Sequence, residues 1–137
     1  MERKGFYVTF FNTRDDDGAD IVHLKSTIPQ HLVNDRFQYE CAITRIAFVT
    51  ATKRCMYMIE CPQVNANMVM EGVCTQIVAI VDTKQKNYAK SYNLPHYFRI
   101  NSNPLTELNF DIISPDPDCV KTHVKEICMT VHVRKVF

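Results

Sequence analysis

The acidic stretch "RDDDGAD" holds the residues best suited to binding a cation. Asp15, Asp17 and Asp20 lie close to Gly18, as in part of a calcium-binding loop. An EF-hand loop that began at Asp15 would need an oxygen ligand at position 19 and a bidentate glutamate at position 26, but the chain has alanine and serine there. A solvated turn between two strands also accounts for these residues. We therefore expect no calcium site.

A zinc site would need nitrogen or sulfur ligands clustered at short spacing. The nearest approach among the histidines and cysteines is His123, Cys128 and His132. In a regular strand Cys128 and His132 face one side and His123 faces the other, so the three side chains do not converge. We expect no metal and no other cofactor.

The chain also lacks the usual signs of catalysis. It has no Gly-x-Ser-x-Gly elbow, and its three glycines are too scattered for a phosphate-binding loop. The carboxylates of Asp116 and Asp118 lie in "SPDPDC", where the prolines indicate a solvated loop. These observations predict that the protein is not an enzyme.

Basic and aromatic residues interleave in the segment "KQKNYAKSYNLPHYFR". A groove for single-stranded nucleic acid uses such residues, because bases stack on rings and cations follow the phosphates. Tyr88, Tyr92, Lys86 and Lys90 would be its contacts. The alternative is a polar loop followed by a strand, and the formal net charge of +1 favours it over a nucleic-acid partner.

Length and composition describe one domain and an intracellular setting. A chain of 137 residues can bury a core without added cross-links. No apolar run reaches the ~18 residues that a membrane span needs, and the first apolar segment is too short for a signal peptide. We expect no membrane association and assembly in the cytoplasm or nucleus. In that setting the six cysteines, which include no C-x-x-C pair, are expected to be reduced and to pack as small apolar groups.

Hydrophobic periodicity predicts strands and no long helix. The alternation of apolar and polar residues in "PLTELNFDII" and "KEICMTVHVRKVF" is typical of half-buried antiparallel strands. Only "IPQHLVN" and "VNANMVMEG" could form short helices. The sequence therefore predicts a single all-β domain over residues 1–137, an antiparallel β-sandwich or barrel with eight strands at 6–12, 21–28, 37–48, 55–61, 75–82, 96–101, 106–113 and 124–134.

Three strands carry more specific predictions. In the first, Phe6, Val8 and Phe10 should face one side, with aromatic side chains also present on the other. A phase change in the third indicates either that its two faces are used in turn or that it has a bulge near Thr44 and Arg45. The unbroken apolar run from residue 77 to residue 81 indicates a strand buried on both faces in the middle of a sheet.

Four segments carry a resemblance to a known family: "GFYVTFFNT", "FQYECAITRIAF", "YFRINSNPLTELNFDIIS" and "CMTVHVRK". In their order along nearly the full chain they resemble the single jelly-roll penton, or minor capsid, proteins of Maverick/Polinton elements and adintovirus-like viruses. The residues that match are Phe6, Tyr7, Val8, Thr9, Tyr39, Glu40, Ala42, Tyr97, Leu108, Phe110, Ile112, Val131, His132 and Arg134.

This resemblance implies an all-β, eight-stranded antiparallel jelly-roll sandwich and a structural virion protein. Such a subunit self-associates, as a homopentamer with heterologous contacts along the sides of the sandwich, and docks to neighbouring capsid proteins. We expect the seam between copies near Phe10, Phe11, Tyr97 and Phe98. Two other functions stay open: a ligand-binding β-sandwich for a sugar or a peptide, and the single-strand nucleic-acid module described above.

Overall fold

The computed structural model describes residues 5–13, 21–50, 54–65, 68–83, 87–116, 119–120 and 124–136. Within them a single 3₁₀ turn covers Gln30–Leu32, and eleven strands carry most of the chain. The strands are β1 (Phe6–Thr13), β2 (Val22–Thr27), β3 (Tyr39–Thr50), β4 (Cys55–Glu60), β5 (Met68–Met70), β6 (Val73–Thr75), β7 (Ile77–Thr83), β8 (Asn87–Ser91), β9 (Phe98–Arg99), β10 (Glu107–Ile113) and β11 (Val124–Lys135).

The strand order is that of a jelly roll. One sheet has the order β1-β11-β3-β8, with β9 added at the start of β3, and the other has the order β2-β10-β4-β7. Without the short β9, the two sheets contain eight strands. Of these, β1 pairs with β11, β2 with β10, β3 with β8 and β4 with β7, all antiparallel, so the first strand pairs with the last and each following strand with the one before it at the other end. This arrangement confirms the predicted all-β jelly-roll sandwich. The number of strands is eleven rather than eight.

The three strands that the sequence did not predict are short. The β5 and β6 strands form a separate hairpin where a short helix was the alternative, because Glu71 (φ 50°) and Gly72 (φ 81°) provide the two left-handed residues of a tight turn. The sixth jelly-roll strand is β8 and not the predicted 96–101, of which only Phe98–Arg99 forms a strand. Mostly exposed, β8 buries little more than Tyr88, so its periodicity is weak.

The prediction for residues 77–81 was wrong in one respect. The β7 strand lies at the edge of the four-stranded sheet, beside β4, and not in its middle. Its inner side is buried at Ile77 and Val81, while Ile80 faces outward and is 49% exposed. The continuous apolar run therefore reflects an edge strand whose outer surface is apolar and exposed. It does not reflect a strand that is covered on both faces.

The interior lies between the two sheets. Phe10 packs edge-on against Phe110 with ring centroids 5.2 Å apart, and Phe48 stacks on Tyr57 at 5.0 Å. The predicted bulge in β3 is confirmed: the register with β11 shifts at Thr44, whose hydroxyl donates to the Thr130 carbonyl at 3.2 Å. The shift keeps the inward side chains of β3 pointing at the core on both sides of the bulge.

The cysteines follow the prediction only in part. Cys55 and Cys119 form a disulfide, which corrects the expectation that all six are reduced. The segment after β10 returns over β4, where the Tyr57 hydroxyl donates to the Cys119 carbonyl at 3.1 Å. The sequence separation of 64 between the two cysteines conceals this proximity in the sequence. Cys41 and Cys61 are buried free thiols, as predicted.

Candidate functional site

The outer surface of the five-stranded sheet exposes large rings among small side chains. On β1 the inward side chains Val8 and Phe10 are buried, while Tyr7 is 58% and Phe11 is 66% exposed. This confirms the predicted two-sided use of the first strand. We call this surface the aromatic face and define it by Tyr7, Thr9, Phe11, Arg45, Ala47, Ala89, Cys128 and Thr130.

The register of the strands makes the aromatic face shallow. Phe11 lies opposite Cys128, which lies opposite Ala47, which lies opposite Ala89. The next row is Thr9, Thr130 and Arg45, also in direct register. In the row that begins at Phe11, the three strands beside β1 carry only small side chains. Another surface can therefore approach this sheet closely.

One end of the same sheet is covered by the chain itself. The Tyr97 hydroxyl and His132 Nδ1 are 2.9 Å apart, and the Arg134 guanidinium lies 3.4 Å from the centroid of the Tyr97 ring. Arg134 Nε donates to Glu40 Oε1 at 2.6 Å. His132 is consequently fully buried although its side chain lies on the outer side of β11.

The four residues expected at a seam have different environments. Phe10 is 3% exposed and belongs to the core, so its side chain cannot form an exposed seam. Tyr97 and Phe98 are half-buried, the first against His132 and the second against the core and His96. Only Phe11 is openly exposed. Tyr7 was not predicted at the seam, although strand alternation places its side chain on the same side of β1 as Thr9 and Phe11.

The four-stranded sheet has an apolar outer surface of another kind. Met58 lies opposite Ile80 on one neighbouring strand and opposite Ile113 on the other, and Met56 is 43% exposed beside them. We call this surface, made of Met56, Met58, Ile80 and Ile113, the methionine face. This surface was not predicted from the sequence, because the apolar run at residues 77–81 indicated a strand covered on both sides.

The two sheets differ in charge. The strands of the five-stranded sheet carry six basic and two acidic residues. Those of the four-stranded sheet, together with Arg54 just before β4, carry two basic and four acidic residues. Several of the acids have partners within the sheet: Arg54 Nη2 is 2.6 Å from Asp82 Oδ2, and Lys25 Nζ is 3.1 Å from Glu107 Oε2.

Two acids stand directly across from each other beside the methionine face. Glu60 on β4 is in register with Asp111 on β10. The Asp111 carboxylate is 2.6 Å from His23 Nδ1. Like charges directly opposite on neighbouring strands are unfavourable.

A polar pocket of about 230 Å³ lies where the loops at one end of the sandwich meet. Its walls are Phe37, Gln38, Asn65, Arg99, Ile100, Asn101, Ser102 and Asn103. Arg99 donates to Gln38 Oε1 at 2.6 Å, and Asn101 donates to Asn65 Oδ1 at 3.2 Å. Four of the polar side chains of the wall are therefore already hydrogen-bonded in pairs.

The described parts of the segments considered for nucleic acid and metals give no comparable site. Tyr88 and Tyr92 pack against the core, and burial raises the pKa of both hydroxyls. Lys86, His123 and the acidic stretch 14–20 lie outside the described residues. Among the described residues, no three His, Cys, Asp or Glu side chains are grouped so as to hold a metal ion.

The two buried free thiols are in contact between the sheets. A hydrogen bond from the Cys41 thiol to Cys61 raises the pKa of Cys41 well above its usual value, and burial adds to this shift. The same hydrogen bond lowers the pKa of Cys61 against the opposing effect of burial. Both side chains are enclosed by the core, so they contribute to packing and present no surface.

In comparisons with known proteins, no family model and no curated relative matches this chain. Within the described ranges, no helix is long and apolar enough to cross a membrane.

Proposed function

We propose that the protein is a structural subunit of a virion, a penton-like minor capsid protein that self-associates as a homopentamer. The sequence resemblance to single jelly-roll capsid proteins supports this proposal, and so does the jelly-roll strand order, which capsid proteins share with lectins and cupins. A fold by itself does not determine function. The function therefore depends on what the surface of the subunit offers to a partner.

The single observation that carries the proposal is the exposure of Phe11 and Tyr7 on the aromatic face. A sheet face that exposes large rings beside a row of small side chains is an apolar surface of the kind that marks a protein interface. Aromatic residues are also enriched at the centre of such interfaces. On this proposal the subunit acts in the virion, is assembled in the cytoplasm or nucleus of the host, and has neighbouring capsid proteins as its other partners.

The proposal is tested by imaging the largest species that the purified protein forms, by negative-stain electron microscopy. Native protein is expected to give closed rings of five copies, and Phe11→Ser is expected to give none. Leu94→Ser is the matched control, because Leu94 is 95% exposed in the loop between β8 and β9 and is not one of the residues of the aromatic face. Native preparations without rings, but with binding to an oligonucleotide or a glycan, would favour one of the two other functions.

A further inference from the structure

We infer that copies of this protein meet head to tail, with the aromatic face of one copy packed on the methionine face of the next. This inference rests on the proposed self-association and specifies the two surfaces that form the contact. Three observations support it: the directions in which the two faces point, their side chains, and the charges of their sheets.

The direction of the faces excludes a contact within one copy. The two sheets of a sandwich pack through their inner sides, so their outer surfaces point away from each other. The aromatic and methionine faces can therefore meet only between copies. Such a contact uses two different surfaces of the same chain. Flat packing of opposite surfaces would stack the copies in an open row, and a tilt of each copy against the last is what closes the row into a ring.

The side chains of the two faces are complementary. Phe11 stands up from a row of small residues, and Met56 and Ile80 stand up from the opposite surface. Flexible methionine side chains adapt to the contours of a partner and form favourable contacts with aromatic rings. Burial of Phe11 and Ile80 in one contact would remove the most exposed ring and the most exposed aliphatic side chain of the two faces from water.

Charge favours the head-to-tail pairing over contacts between identical faces. Two aromatic faces brought together would bring Arg45 of one copy towards Arg45 of the other, and two methionine faces would bring together the acids Glu60 and Asp111 of both copies. In the head-to-tail arrangement Arg45, which is exposed on the aromatic face, approaches the facing acids Glu60 and Asp111. That cation would relieve the repulsion between the two carboxylates.

The decisive experiment mixes two variants that each lack one face. Phe11→Ser removes the aromatic face and Ile80→Ser removes the methionine face, with Leu94→Ser as control and circular dichroism as the check on folding. Each variant alone should have the mass of one chain, 15.9 kDa, by sedimentation equilibrium. An equimolar mixture should give a species of twice that mass and no larger one, because the intact aromatic face of the Ile80→Ser copy binds the intact methionine face of the Phe11→Ser copy.

Other outcomes would overturn the inference in recognisable ways. If native protein and Ile80→Ser assemble equally well while Phe11→Ser does not, the contact is between two aromatic faces; self-association then stands and the head-to-tail contact does not. If the mixture stays at the mass of one chain although native protein assembles, the two faces do not bind each other. If native protein itself is always a single chain, both proposals fail.

A charge exchange provides a second measurement that does not depend on the apolar variants. Arg45→Glu and Glu60→Lys should each reduce assembly, since each places like charges across the contact. The double variant Arg45→Glu/Glu60→Lys should restore it, because both signs are exchanged together. Failure of the double variant to assemble better than either single variant would contradict the head-to-tail contact.

Discussion

Phe10 and Phe11 are neighbours in the chain, but they belong to two different regions of the molecule. Phe10 points inward, is 3% exposed and packs edge-on against Phe110. Phe11 points outward and is 66% exposed on the aromatic face. Within the described part of the chain, the inner side of β1 is satisfied by the second sheet and the outer side is not covered. Inward residues such as Phe10 therefore stabilise the subunit, and outward residues such as Phe11 are available to a partner.

Replacement of each phenylalanine by alanine gives the largest expected contrast. Phe10→Ala should lower the free energy of unfolding by about 3–5 kcal/mol, because it removes buried apolar surface and leaves a cavity. Phe11→Ala should change it by at most about 0.5 kcal/mol, as is usual for exposed positions. Urea denaturation at protein concentrations low enough to prevent assembly measures both. Equal losses for the two variants would show that the outer side of β1 is packed within the subunit.

The disulfide extends the comparison to the covalent structure of the interior. Cys55→Ala/Cys119→Ala should lower the free energy of unfolding by about 2–4 kcal/mol, since the bond closes a loop of 64 residues and constrains the unfolded chain. Cys74→Ala is the matched control, because Cys74 is an exposed free thiol on the β5–β6 hairpin. Urea denaturation with and without a reductant measures the effect. Native protein that is equally stable in both conditions would show that the bond does not contribute.

Cys128 reports on the outer side of the sheet. It lies directly opposite Phe11 in the register of β1 and β11 and is half-buried in the single chain. Its reaction with N-ethylmaleimide should become several-fold slower when the protein assembles, because the aromatic face becomes covered. The rate at Cys74, followed in the same samples by peptide mass spectrometry, serves as the reference. An unchanged rate at Cys128 in the assembled protein would place the contact elsewhere.

The smallest expected effect concerns Glu107 at the far side of the four-stranded sheet. Hydrogen bonds from Asn109 and then from Lys25 lower the pKa of its carboxyl. The ionised form therefore adds stability above the unfolded value of about 4.3, and this contribution is lost as the pH falls through the lower pKa of the folded state. Thermal unfolding of Glu107→Gln should consequently depend less on pH below about 4 than that of native protein. Identical pH profiles would show that the interaction has no effect on folding.

Strand periodicity was sufficient to predict an antiparallel β-sandwich or barrel and the two sides of β1, and the family resemblance added the jelly-roll topology. Alternation in β10 and β11, and the phase change at Thr44, reflect which side chains enter the core, and burial enforces that choice. Short segments with little burial could not be predicted in this way. The β8 strand buries Tyr88 and little else, and the β5–β6 hairpin depends on the turn geometry of Glu71 and Gly72.

The candidate site was harder to predict than the fold because it depends on contacts distant in sequence. Phe10 was expected at a seam because periodicity identifies two sides of a strand without saying which one another sheet covers. Ile80 was assigned to a covered strand, since an apolar run does not distinguish a central strand from an edge strand with an apolar outer surface. The proximity of Cys55 to Cys119 follows only from the path of the chain after β10.

The most direct test of self-association is the mass of native protein in solution, measured by light scattering over a range of concentrations. We expect the mass to rise with concentration and to level off at a fixed multiple of 15.9 kDa, which is about five chains for a penton-like ring. A mass of one chain at every concentration would contradict it, because the aromatic face would then remain uncovered under conditions that favour assembly.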